Sequence, residues 1–130
     1  MCLCELTTDK PCKRGFKIVR VDDMGEYYPM YRNADKTLPK GVWLHEEDYR
    51  DELGGLISVG GTTKTYQKGF HVYHHRRDAE YIKGFEVKDE PDRLVRIVQV
   101  QVHEPVAVGL QSGSIRVTVA KQIKIGKEVN

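Results

Sequence analysis

Apolar and polar residues alternate most regularly in the last third of the chain. Over 94–103, Leu94, Val98, Val100 and Val102 fall on one face of an extended segment and Val95 and Ile97 on the other. The first half of that segment reads as buried on both faces, and the second half turns Gln99, Gln101 and His103 to a polar side. Glu104-Pro105 interrupts the run, since proline has no N–H to give a sheet. Val106, Val108 and Leu110 then resume it, and Gln111-Ser112-Gly113 predicts a hairpin turn. Beyond the turn Ile115, Val117, Val119, Ile123 and Ile125 share one parity, with Lys121 as the exception, which predicts one long strand or two joined by a bulge.

The first two thirds are more broken. Phe16 to Val21 alternates as a strand. Asp22 to Gly25 is a turn, and Tyr27, Tyr28, Met30 and Tyr31 predict a second short strand that Pro29 confines to an edge, the two pairing as a hairpin. A polar loop over 33–40 precedes a short apolar strand at Val42 to Leu44. Glu46 to Leu53 predicts one or two helical turns closed by Gly54-Gly55. Leu56 to Val59 leads to the loop Gly60-Gly61-Thr62-Thr63. Phe70 to His74 has strand period, with His71 and Tyr73 on one face and Phe70, Val72 and His74 on the other. Asp78 to Lys83 predicts a short helix, with Ala79 and Ile82 three apart and Gly84 as its stop; a charged loop follows over 88–92. The fold class is α+β: a single domain, a bent and mostly antiparallel sheet with one or two short helices, spanning 15–130 behind a cysteine-containing segment 1–14.

Composition narrows the class. In 130 residues the hydrophobic fraction is 39% and the charged fraction 31%, which suits a packed domain rather than a disordered chain. A net charge of +2 implies no general polyanion-binding surface. No apolar run approaches the roughly 20 residues that span a bilayer, so no membrane association is expected. The first residues lack the basic-then-apolar order of a secretory signal, and the expected location is the cytosol. The three cysteines, Cys2, Cys4 and Cys12, are odd in number and lack the two-residue spacing of zinc sites, so they read as packing residues of the initial segment, without a disulfide framework or a metal.

The densest chemistry lies in Lys68 to Ile82, KGFHVYHHRRDAEYI. A strand splits His71 from His74, which argues against a metal cluster. What remains is a pocket wall of His71 and Tyr73 with Arg76 and Arg77 at its rim, the arginines suited to phosphate and the tyrosine to a base. Gly60-Gly61-Thr62-Thr63-Lys64 lacks the lysine directly after the second glycine and the following helix of a phosphate loop; it reads as a plain loop, with a flexible lid beside such a pocket kept open as the alternative. No activated nucleophile motif is present, Glu46-Glu47-Asp48 and Asp51-Glu52 read as a solvated face, and the aromatic residues form no nucleic-acid stacking series along the chain.

Met1-Cys2-Leu3, Gly15-Phe16-Lys17-Ile18-Val19-Arg20, Tyr28-Pro29-Met30-Tyr31, Gly69-Phe70-His71 with an aromatic two residues on and an Asp78-Ala79 helix behind, and the closing Val119-Ala120-Lys121-Gln122-Ile123-Lys124-Ile125 occur here in that order. The order resembles a group of small phage, prophage and bacterial proteins in which a "GFH" strand precedes a short helix and an A-K/S-x-I-x-I strand closes the domain. A more remote likeness is to the ADP-ribosyltransferase fold, with Arg20 and Gly69 to Tyr73 in the places of its early strand and its Gly-x-aromatic strand. That family's Ser-Thr-Ser signature is absent, and Glu104 and Glu128 are the late glutamates available. The resemblance, the small size and the lack of a catalytic constellation together lead to the expectation of a non-enzymatic accessory protein that counters bacterial immunity, binding a host defence protein in the anti-CRISPR manner or sequestering a nucleotide second messenger through Arg20, His71, Tyr73, Arg76 and Arg77, without a cofactor. Two alternatives stand beside it: an NAD-using transferase with Glu104 as its catalytic carboxylate, and an assembly protein that forms a homo-oligomer through an open edge strand.

Overall fold

Two long strands dominate a computed structural model of the chain, which describes residues 3–30, 36–49, 56–59, 64–89 and 94–129. In chain order the elements are β1 (Glu5–Leu6), β2 (Arg14–Val21), β3 (Tyr27–Pro29), β4 (Trp43–His45), a 3-10 turn (Glu46–Tyr49), β5 (Leu56–Ser58), β6 (Thr65–Gln67), β7 (Phe70–Tyr73), α1 (Arg76–Asp89), β8 (Val95–Gln111) and β9 (Ile115–Val129). This is the α+β, mostly antiparallel architecture that the alternation predicts, with one seven-stranded sheet and a separate two-stranded ribbon in which β5 pairs with β6. β8 and β9 form a hairpin paired from Gln111↔Ile115 back to Ile97↔Val129. On the outer edge of β8 lie β2, at Arg14 to Arg20, and then β1, at Glu5 and Leu6. On the outer edge of β9 lie β7, at Val117 to Ala120, and then β4, at Gln122 to Lys124.

The bend brings the two flanks together. Phe16 of β2 pairs with Tyr73 of β7, so the path β2–β8–β9–β7 returns on itself as a small, tightly bent barrel. The crossing needs a glycine: a Cβ on Gly15 would stand 2.5 Å from Val72 Cγ1 and 2.6 Å from the Tyr73 carbonyl oxygen. Two cores result. The inner one holds Val19, Tyr27, Leu38, Leu44, Phe70, Val72, Val98, Val100, Ala120, Ile123 and Ile125. The outer one lies under α1 and β6 and holds Ile18, Tyr66, Tyr73, Ala79, Ile82, Val95, Ile97, Ile115, Val117 and Val119.

The parity of β9 does not mean one face. Ile115, Val117 and Val119 belong to the outer core, whereas Ile123 and Ile125 belong to the inner one. β8 makes the same exchange: Val98 and Val100 face inward, and Val106, of the same parity, packs on the outer core. The exchange falls where Glu104 adopts a left-handed φ of 53° and the pairing slips between Pro105 and Ala107. Glu104-Pro105 therefore does not end the strand; it is a bulge within one continuous β8, which lets a proline without an N–H sit inside a sheet. Lys121, the parity exception, lies opposite this point and reaches the buried Glu46 carboxylate at 3.7 Å.

Other expectations shift in detail. β2 and β3 form the predicted hairpin, pairing Arg20 with Tyr28, and the turn is held by Asp22, whose Oδ1 accepts from the N–H groups of Met24 and Glu26. Gly84 does not stop α1. The helix starts earlier, with the His75 carbonyl accepting from Ala79, and runs on to Asp89, because a single interior glycine costs about 1 kcal/mol and its neighbours Ala79 and Ile82 are anchored in the core. The segment before the domain is not separate from it in space: Leu3 is wholly buried and β1 extends the sheet. Cys2, Tyr31, and residues 50–55 and 60–63, where the end of the acidic helix and the lid loop are expected, lie outside the described residues.

If closure at Gly15 holds the barrel, Gly15→Ala destabilises the chain by about 2 kcal/mol or more, since backbone and a β-branched side chain must both give way. Gly84→Ala, where a Cβ meets nothing within 4 Å, stabilises it by roughly 0.5–1 kcal/mol. Urea unfolding followed by far-ultraviolet circular dichroism measures both, and equal effects at the two positions refute the closure argument.

Candidate functional site

Among the described residues, those singled out around KGFHVYHHRRDAEYI fall in separate settings. Tyr73 is 7% exposed, its ring lies in the outer core, and its hydroxyl accepts from Gln111 Nε2 at 3.4 Å. A ring enclosed there has no free face for a base, which corrects the expectation of stacking. His71 shares the outer side of the sheet with Tyr73, as the alternation predicts, and its ring stands 6.4 Å from that of the buried Tyr66. Arg76 and Arg77 open α1 on the solvent side, and Arg76 is paired with Glu80 at 3.0 Å. Arg20 lies at the β2–β3 hairpin, where its Nε donates to the Pro29 carbonyl at 3.0 Å and its guanidinium covers the Tyr28 ring. It is four residues beyond the Phe16–Tyr73 crossing, about 13 Å along the strand.

His74 points inward, away from His71, with Nε2 2.6 Å from Thr118 Oγ1. Burial lowers its pKa, and the neighbouring His75 and Arg116 push it the same way. Cys12 packs on the inner core, and burial raises the pKa of its thiol; Cys4 is exposed. Lys17 fills the gap where β2 and β7 diverge beyond their crossing. Its Nζ donates to the His71 carbonyl at 3.2 Å and lies over the Phe70 ring. The side chain as a whole keeps some exposure, but its charged end is stripped of water, and that desolvation pulls its pKa down to about 8. A shallow groove of about 390 Å³ lies elsewhere, between β1, β6 and the Val106–Val108 stretch of β8.

Among the described residues, exposed polar and aromatic groups gather on the part of the sheet's outer face that carries the polar side of β8. Registers align it across four strands. Arg14 of β2 stands beside Gln101 of β8, Gln101 beside Lys124 of β9, and Lys124 beside Trp43 of β4. In the next row His103 stands beside Gln122, and Gln122 beside His45. With strands about 4.8 Å apart, the first row spans about 14 Å. Trp43 is 40% exposed; Lys124 Nζ lies 5.9 Å from its ring centroid, and the His103 ring 5.7 Å away, tilted by 56°. Between these rows the buried Leu44 and Ile123 and the partly buried Val102 turn inward, so the face is held by the core behind it. Glu104 closes the second row. Its carboxylate accepts from Gln122 Nε2 at 3.1 Å and lies 4.0 Å from His103 Nδ1, and it is exposed.

This face was not legible along the chain, because its members come from 14, 43–45, 101–104 and 122–124. The aromatic pair Trp43–His103 exists only through the register of β4 on β9 and of β9 on β8. The one available signal was the polar alternation of Gln99, Gln101 and His103, which marked a solvent side without saying what stood next to it.

Two outcomes test these assignments. The unfolded chain holds the Lys17 proton up to about pH 10.5 and the folded chain up to about 8, so the unfolded state binds more protons between these values and stability rises with pH across that window. Urea midpoints collected from about pH 7 to pH 10 should climb in the native chain and flatten in Lys17→Met. Separately, Glu104→Gly relieves the left-handed strain and stabilises the chain by roughly 0.5–1 kcal/mol, read as a rise in melting temperature; a loss of stability instead shows that the Gln122 contact outweighs the strain.

No protein-family model matches the chain, and neither a curated protein nor a solved structure matches it.

Proposed function

We propose that this protein works by binding rather than by catalysis, as a phage or prophage accessory protein that counters bacterial immunity in the host cytosol. The exposed face of β2, β8, β9 and β4 is its contact surface. One observation carries the reading: the row Arg14–Gln101–Lys124–Trp43 places a half-exposed indole beside cations and amides on a rigid sheet, the composition of a recognition surface. The order of motifs shared with small phage proteins supports the setting. The target is a defence protein or assembly held in the anti-CRISPR manner; the nucleotide-sequestering version loses support with Tyr73 enclosed in the core.

An enzymatic reading rests on Glu104, whose strained backbone and neighbouring His103 are features that also occur at active sites. Against it, the carboxylate is exposed and tethered to Gln122, and burial of the kind that tunes a catalytic acid is lacking there.

Expression in bacterial hosts that restrict phage by different defence systems tests the proposal. Efficiency of plating should rise in at least one host, fall back when Trp43→Ser replaces the native chain, and stay high with Glu104→Gln. Absence of rescue in every host, or NAD turnover by the purified protein that Glu104→Gln abolishes, overturns it.

A further inference from the structure

We infer that the Trp43 face binds single-stranded nucleic acid, with the indole as a stacking platform and Arg14 and Lys124 as phosphate contacts. The inference rests on the reading of this face as a contact surface and differs from it in the target, a nucleic-acid strand of the defence assembly in place of its protein. Three features of the face point the same way. First, its aromatic groups are arranged for stacking: Trp43 is 40% exposed beside the exposed His103 ring, and every base has a π-face that such rings accept. Second, its charge has one sign along the first row. Arg14 is exposed, Lys124 lies beside the indole, and the His45 and His103 rings add ring nitrogens in the second row. Third, the residues between these groups are amides, Gln101 in the first row and Gln122 in the second, which donate and accept and so suit the polar edges of unpaired bases.

The acidic groups nearby set the orientation. The 3-10 turn that follows β4 carries the exposed Glu47 and Asp48 just beyond His45, and Glu104 closes the second row. A phosphate backbone is therefore expected along the Arg14–Lys124 row, with bases turned toward Trp43 and His103 and the carboxylate of Glu104 at the margin, where it repels phosphate. The small net charge of +2 is no obstacle, because the cations are gathered by register onto one face and the acids lie at its margin. A duplex is disfavoured: its bases are stacked inside and offer no free face to the indole. An acidic protein segment would use the cations but would leave the ring faces without stacking partners.

Trp43 is the sole tryptophan of the chain, so its own fluorescence reports occupancy. The purified protein is titrated with a mixed-sequence single-stranded oligonucleotide of about 12 nucleotides, as DNA and as RNA, and with the matching duplex and poly-glutamate. Saturable quenching by at least one single strand, with neither the duplex nor poly-glutamate competing, is the expected result. In anisotropy with a labelled strand, Trp43→Leu should weaken binding roughly ten-fold or more. Arg14→Gln and Lys124→Gln should each weaken it and reduce the salt slope by about one, while Glu104→Gln should tighten it. No quenching by either single strand, tighter binding of poly-glutamate or of duplex, or affinity unchanged in both Trp43→Leu and Lys124→Gln overturns the inference. If plating then still depends on Trp43, the target is a protein and the binding reading survives; if it does not, both fail.

Discussion

Everything in this fold depends on one strand crossing. β2 can lie against β7 only because Gly15 has no Cβ to meet Val72 and the Tyr73 carbonyl. That contact turns an open, bent sheet into a closed circuit and separates the apolar residues into an inner and an outer core. It also creates the gap beside Phe16 that Lys17 fills, where an amine loses its water and is compensated by one backbone carbonyl and the Phe70 ring. Among the described residues, short strands such as β1, β3 and β4 lie at the margins of the large sheet, a common solution to the hazard of unpaired strand edges.

The second constraint is the exchange of faces in the β8–β9 hairpin. Two strands of 17 and 15 residues are too long to keep one side against one core in a domain of this size. Glu104 takes up the change with a left-handed backbone, Pro105 sits where its missing N–H does least harm, and Lys121 answers from the facing strand by pairing with buried Glu46. The same bulge ends the polar stretch of β8 and so sets one limit of the exposed face.

The candidate contact face follows from that division of surfaces. α1 covers the outer side of β2 and of the start of β8, anchored by Ala79 and Ile82, and stops short of the rows that contain Arg14, Gln101 and His103. The uncovered part is rigid, since its opposite side is the inner core. An exposed indole in such a place is held in orientation by Lys124 and His103 rather than by burial, which is how a stacking or docking group is kept ready without being enclosed.

Local pattern by itself determined most of the strands, the β2–β3 hairpin at Asp22, the continuity of inward-facing valines in β8, and the face that His71 shares with Tyr73, because each depends on period-two alternation or on turn chemistry between neighbours. It predicted Gly84 as a helix stop and Glu104-Pro105 as a break, since both rules are local, and packing of Ala79 and Ile82 and of β8 against β9 overrode them. Tertiary structure alone decided that Tyr73 is a core ring and not a pocket wall, that Val119 serves one core while Ile123, of the same parity, serves the other, and that Trp43 meets His103 and Lys124. These outcomes depend on strand register and on the closure of β2 over β7, which join residues far apart in the chain and leave no trace in the alternation of near neighbours.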